Sequence, residues 1–152
     1  KMAKSTLEEC AEGQFYHLLY DINQDIEPGQ VKKLLLCSGK IYYELEAERE
    51  KRGIDNVALM RLEQYYPFPM ERLRKALAQY PSDTPFVWVQ EEPENMGAWP
   101  FLCRQLSPHF RVGSDYPLSC VARPEAASPA TGSKACHDIE QASLIDRALS
   151  LP

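Results

Sequence analysis

The chain has 152 residues, of which 44% are hydrophobic and 26% charged, with a formal net charge of −5. That composition is one globular domain's worth of chain, long enough to bury a core without disulfide or metal staples. No apolar run approaches the roughly 18–20 residues that cross a bilayer, and Lys and Arg are scattered rather than striped, which argues against nucleic acid as a partner.

The opening, Lys1 to Gly13, reads as a polar helix rather than a signal peptide. Ser5 and Glu8 have the spacing of a capping box, in which Ser5 accepts from the amide three residues on and Glu8 reaches back. Gly13 is the expected stop. A chain that opens on Lys1 and runs straight into a helix is expected to be a piece of something longer. Residues 14–30 carry little period and include "EPGQ", the pattern of a connector. Residues 1–30 are therefore read as the end of a preceding domain and a linker, and 31–152 as the compact domain.

From Val31 short apolar runs alternate with amphipathic stretches. Val31–Cys37 is a predicted strand, turned by Ser38 and Gly39 into a helix over Lys40–Arg52 that Gly53 closes. Val57–Leu62 is a second strand. "YYPFP" (65–69) then bends the chain into a helix in which Met70, Leu73, Ala76, Leu77 and Tyr80 share one face. Pro81 and Pro85 bracket the next turn. Phe86–Gln90 is a third strand, apolar on both faces as a doubly covered strand must be. A helix over Ala98–Leu106, a fourth strand over Leu118–Ala122, and a Pro- and Ala-rich loop over Arg123–Ser133 follow. The last helix places Ile139, Ala142, Ile145 and Leu149 on one side. Such repetition needs crossover connections, and so predicts an α/β fold: a three-layer α/β/α sandwich on a mainly parallel sheet.

Ligands of such sheets sit beyond the carboxyl ends of the strands, which selects Cys37–Lys40, Gln90–Met96 and Arg123–Ser133. In "CSGK" (37–40) a thiol before a helix start is a candidate nucleophile, and the helix amides a candidate phosphate seat. The full phosphate-loop pattern is absent, and packing is the better reading of Cys37. Ser38, Gly39, Lys40, Arg61 and Arg123 remain a candidate anion or effector site, the arginines because they bind carboxylate or phosphate bidentately. Glu91 and Glu92 invite reading as an acid/base pair. Adjacent strand residues point to opposite faces, however, so the two carboxylates are poorly placed to converge. A supporting role is assigned to Gln90, Glu91, Glu92, Asn95, Gly97 and Trp99, with Asn95 as N-cap of the following helix, Gly97 permitting close approach and Trp99 packing inward.

His17, His109 and His137 have no metal-ligand spacing, so no metal site is expected. Ser38 and Ser128 lack the G-x-S-x-G context, and no catalytic residue is assigned. Cys10, Cys37, Cys103, Cys120 and Cys136 contain no C-x-x-C pair, as expected of reduced thiols in a cytoplasmic protein.

Several segments in order carry a family resemblance: "KSTLEECAEGQF" (4–15), "CSGKIYYEL" (37–45), "RLEQYYPFP" (61–69), "WVQEEPENMGAW" (88–99), "ARPEAASPATGS" (122–133) and "HDIEQ" (137–141). Together they resemble the C-terminal domain of the thiamine-diphosphate-dependent, decarboxylating component of 2-oxoglutarate dehydrogenase, a transketolase-like family. The resemblance implies a parent enzyme with two cofactor domains before this one, acting as a homodimer with thiamine diphosphate and magnesium. That parent decarboxylates 2-oxoglutarate and hands the succinyl group to the dihydrolipoyl succinyltransferase component, in the tricarboxylic acid cycle, which implies the cytoplasm or, in a eukaryote, the mitochondrial matrix. It implies that the third domain serves architecture and assembly, with the remaining domains of the same enzyme as partners and with apolar patches that favour association. Some relatives bind acetyl-CoA or adenine nucleotides, so an effector module is the alternative reading, as is the same domain of a 2-oxoadipate dehydrogenase. Ala122 stands where the family pattern has Gly. The family's cofactor-binding Gly-Asp-Gly is absent from these 152 residues, so no cofactor binding and no chemistry are expected of them alone.

Overall fold

The structure, a computed structural model, describes residues 4–23, 25–106 and 118–151. Its elements in chain order are α1 (Leu7–Glu12), β1 (Leu18–Leu19), β2 (Lys33–Cys37), α2 (Ile41–Arg52), β3 (Val57–Leu62), α3 (Met70–Leu77), β4 (Phe86–Pro93), α4 (Trp99–Leu106), β5 (Leu118–Arg123) and α5 (Lys134–Leu149). The strands form one sheet in the order β1-β3-β2-β4-β5. All neighbours are parallel except β1, which pairs antiparallel with β3 through Leu18↔Leu62 and Leu19↔Arg61.

Strand alternation sorts the core into two layers. Leu34, Leu36, Ala58, Met60, Phe86 and Trp88 face Leu73, Ala76 and Leu77 of α3 and Leu102 and Leu106 of α4. Leu35, Cys37, Val57, Leu59, Val87 and Val89 face Ile41, Tyr42 and Leu45 of α2 and Leu144, Ala148 and Leu149 of α5. Being buried on both faces is why β2, β3 and β4 read as nearly unbroken apolar runs. The three-layer sandwich predicted from the sequence is the observed fold.

The chain leaves β2 toward β3 through α2, then returns across β2 to β4 through α3 on the opposite face. The connection therefore changes direction between β2 and β4, and a crevice opens beyond their carboxyl ends. Gly53, at φ 63°, ends α2 in the left-handed conformation, and the amides of Gly53 and Ile54 close onto the Glu50 and Arg49 carbonyls at 3.0 and 3.1 Å.

Several local expectations are corrected. The capping box of α1 lies one residue later than read: Thr6 Oγ1 accepts from the Glu9 amide, and Glu9 accepts from the Thr6 amide. Residues 1–3, which the sequence reading placed in a helix, lie outside the described residues, as does His109. The connector is more than a connection, because it adds β1 to the sheet edge. Strand β4 runs on through Glu91 and Glu92 to Pro93, so the pair belongs to the strand and not to the loop after it. In α5, Ile139 and Ala142 face solvent, and the inward line is Gln141, Leu144, Ala148 and Leu149. The apolar period missed it because one inward position holds a glutamine. Ala122 is buried in β5, and among the described residues no non-glycine has positive φ, so this position does not require the Gly of the family pattern.

Candidate functional site

The crevice at the change of direction is a cavity of about 560 Å³ lined by Ser38, Gly39 and Lys40 from the end of β2, Gln90, Glu91 and Glu92 from β4, and Gly97 and Ala98 before α4. Tyr65, Trp88 and Phe101 supply its aromatic wall. Two of the three segments expected at the sheet's carboxyl edge thus meet in one place.

Gln90 organises it. Its side chain is buried, in the apolar layer with Trp88. Its Oε1 accepts from Trp88 Nε1 at 2.9 Å and from the Trp99 amide at 3.0 Å. Its Nε2 donates to the carbonyls of Pro93 and Met96 at 2.9 and 2.8 Å. One primary amide thereby fixes the strand end, the loop and the start of α4, since both its donors and its acceptor are used. Gly97 sits at φ 65°, and a Cβ there would meet the Gln90 amide at 3.0–3.1 Å, so both backbone conformation and proximity call for glycine. The expected cap is corrected: Asn95 bonds reciprocally with the backbone of Ala126 at 3.1 and 3.2 Å, tying this loop to the one after β5. It lies too far before Trp99 to cap α4, and Gln90 satisfies that amide instead. Trp99 is half-buried against the core.

Glu91 and Glu92 diverge, as strand alternation requires. Glu91 accepts from Gln141 Nε2 of α5 at 3.0 Å and pairs with Lys40 at 3.2 Å. Glu92 is exposed on the other side of the strand, where its charge acts on Tyr65. The two carboxylates do not converge on one reacting atom.

Lys40 also pairs with Glu44 of α2. The hydrogen bond to Glu44, opposed by partial burial and joined by Glu91, holds its ammonium above the ordinary lysine value. Burial pushes the Glu44 carboxyl up, but hydrogen bonds from Lys40 and Gln141 outweigh it and leave the group below the ordinary value. Burial raises Tyr65, against a hydrogen bond with Ser38.

The remaining candidate anion ligands are engaged by other groups. Arg61 stacks over the rings of Tyr42 and Tyr43, its guanidinium carbon 4.5 and 5.4 Å from their centroids, and donates to the Tyr43 hydroxyl at 3.0 Å. Arg123 is buried, donating to Gln141 Oε1 at 2.9 Å and Thr131 Oγ1 at 3.3 Å, with Glu140 at 3.5 Å. It also reaches His137 Nδ1 at 3.0 Å, and because arginine only donates, Nδ1 is the accepting nitrogen. Ser38, Gly39 and Lys40 thus line the crevice together, whereas Arg61, the strand neighbour of Cys37, and Arg123 are engaged by other side chains. Cys37 is fully buried, its thiol on the Met60 carbonyl at 3.6 Å, and burial pushes its pKa up to about 12. It is core packing and not an activated nucleophile.

Sequence reasoning missed two buried polar centres. Gln141 bridges Arg123, Glu91 and Glu44. Arg49, on the inward line of α2 with Ile41 and Leu45, donates to both oxygens of Asp21 at 2.5 and 2.9 Å, and Asp21 also accepts from the Leu59 amide at 2.6 Å. A charged residue on an otherwise apolar helix stripe was the available signal, since such a residue needs a buried partner.

The family described as 2-oxoglutarate dehydrogenase C-terminal matches residues 4–149. The 2-oxoglutarate dehydrogenase E1 component of Haemophilus influenzae is 39% identical over 149 residues, covering 98% of this chain. That of Cupriavidus necator is 37% identical over 150 residues, covering 99%, and that of Brucella anthropi 42% identical over 166 residues, covering 98%. In each case the match takes up 16% of the relative's length.

Proposed function

The chain belongs to the 2-oxoglutarate dehydrogenase C-terminal family, and on that premise we propose that it is the assembly and scaffold domain of a thiamine-diphosphate-dependent 2-oxoglutarate dehydrogenase, with no chemistry of its own. The single observation that carries this reading is how the polar groups of the crevice are used. Gln90 is spent on Trp88 and the neighbouring backbone, and Glu91 on Lys40 and on Gln141 of α5, the pattern of a rigid support rather than of groups waiting for a substrate.

In this reading the cofactor implied by the family is not held by these residues, which lack the Gly-Asp-Gly segment that would seat its diphosphate and magnesium. No step through thiamine diphosphate is therefore assigned to this chain. Decarboxylation, passage of the acyl group to a succinyltransferase and homodimer formation belong, in this reading, to a longer polypeptide of which this is a part. Isothermal titration of the 152-residue chain with thiamine diphosphate and magnesium tests it: no binding heat is expected, and tight binding would overturn the reading. In the longer polypeptide, Glu91→Ala is expected to lower stability and assembly by releasing Gln141 and Lys40; unchanged stability and assembly would count against a supporting role.

An effector site is the second reading, favoured by the cavity itself and by the start of α2, which has no side-chain cap. An acetyl-CoA or adenine-nucleotide phosphate would have to draw Lys40 away from Glu44 and Glu91. This reading expects a salt-sensitive rise in melting temperature with millimolar acetyl-CoA or AMP; no shift at that concentration removes it.

A further inference from the structure

We infer that the crevice at the carboxyl ends of β2 and β4 is a binding site for a small organic cation, an ammonium carried on a flat apolar body. The preference is opposite in sign to that of the phosphate effector above, and it holds whether or not the chain is the scaffold of a longer enzyme.

The amide of Gln90 and the carboxylate of Glu91 are already used by the fold, so the crevice offers a ligand its rings and its remaining charge. Tyr65 is nearly perpendicular to Trp88, with centroids 6.4 Å apart and planes at 70°, and to Phe101, at 6.3 Å and 72°. Three rings so set make an aromatic corner in the cavity wall, and rings attract a cation over their faces. Phe68 packs against Phe101 at 6.3 Å and Trp88 is 1% exposed, so the corner is fixed before any ligand arrives. The cavity, about 560 Å³, falls within the roughly 300–1,000 Å³ of small-molecule sites.

Charge decides the kind of ligand. Among the described residues that line the crevice, Lys40 is the one cation, and it is paired with both Glu44 and Glu91. Glu92 follows Trp88 and Gln90 at alternate positions of β4, so the pleat puts it on their side of the strand. It is exposed, and among the described residues its carboxylate enters no ion pair. Burial, opposed by Ser38 and aided by the Glu92 charge, holds the Tyr65 hydroxyl above its ordinary value, which places that carboxylate beside the aromatic corner. An ammonium would meet ring and carboxylate together, while its apolar body covers the rings and releases water from them. An anion would face Glu92 with no cation between them, and would first have to draw Lys40 from two carboxylates.

Three probes share one phenylethyl body and differ in the group it carries: phenethylamine, phenethyl alcohol and hydrocinnamate. Binding to the 152-residue chain is read by tryptophan fluorescence, since Trp88 lies in the wall, and by melting temperature. The amine should bind with a dissociation constant of about 1 mM or lower. It should bind about tenfold tighter than the alcohol, and the carboxylate should be the weakest of the three. Glu92→Gln should bring amine and alcohol within about twofold of each other, and should leave the melting temperature of the free chain unchanged because no partner in the fold is lost. Lys40→Ala, which frees Glu91, should tighten the amine by about threefold, whereas a phosphate effector would lose its cation. Equal affinity for the three probes would overturn the inference, as would a preference for the amine that survives Glu92→Gln. Tighter binding of hydrocinnamate or AMP than of the amine would overturn it in favour of an anion site. The absence of any signal at millimolar amine would overturn it outright.

Discussion

Replacing Gln90 by Met tests the proposition that one buried amide holds the crevice together. The two side chains have similar volume, so packing is nearly conserved and the change falls on hydrogen bonds. Trp88 Nε1, the Trp99 amide and the Met96 carbonyl lose their partner, whereas the Pro93 carbonyl keeps the Met96 amide at 2.9 Å. A stranded buried group costs about 1–3 kcal/mol. Trp88 is 1% exposed and bears that cost in full, while the other two groups lie in partly exposed residues and count for less. The expected loss is about 2–5 kcal/mol, a large part of the ~5–15 kcal/mol that stabilises an ordinary domain. Urea unfolding followed by tryptophan fluorescence should show the midpoint falling by about 1 M or more. Gln90→Glu separates hydrogen bonding from shape: it keeps an acceptor for Trp88 and Trp99 but turns a carboxylate onto two carbonyls, and should be at least as damaging at neutral pH. A loss below about 1 kcal/mol in both variants would refute the reasoning.

Gly97→Ala should cost about 1–3 kcal/mol, because it combines positive φ with a Cβ against the Gln90 amide, whereas Gly39→Ala, at φ 70° with open space around it, should cost only about 1 kcal/mol. Comparable melting temperatures for the two variants would discount the contact with Gln90. Asp21→Ala leaves the Arg49 guanidinium buried without its carboxylate, and about 3–5 kcal/mol should be lost; the double variant Asp21→Ala with Arg49→Met should lose clearly less than the two single changes combined, and simple additivity in a double-mutant cycle would argue against the pair. Cys37 and Cys120 are both pushed by burial from 9.0 to about 12. The folded state disfavours their thiolates, so the stability tied to these groups is intact below pH 9 and is lost as pH rises toward 12. At pH 8, mass-resolved alkylation should reach the exposed Cys10 and Cys136 well before Cys37; equal rates would mean that the layer facing α2 and α5 opens readily.

The sheet's parallel strands were legible because burial on both faces demands continuous apolar runs, and β3 in particular shows nothing else over Val57–Leu62 except Arg61. The divergence of Glu91 and Glu92 was legible too, since alternation is a property of any strand. Gly53 announced a helix stop and Gly97 a close approach, both through the backbone freedom of glycine. What remained hidden were contacts between distant residues, where no local pattern exists to read. Gln141 reaches Glu44 across 97 positions and Glu91 across 50, and that demand displaced the inward face of α5 from the apolar stripe that its period suggests. Asp21 reaches Arg49 across 28 positions and anchors an arm that local sequence describes only as a connector. Composition and periodicity settled which segments lie in the core, because the hydrophobic effect acts on each residue wherever it stands. Which buried polar group meets which partner was decided only in the tertiary structure, because a hydrogen bond needs both ends at one place and a direction between them.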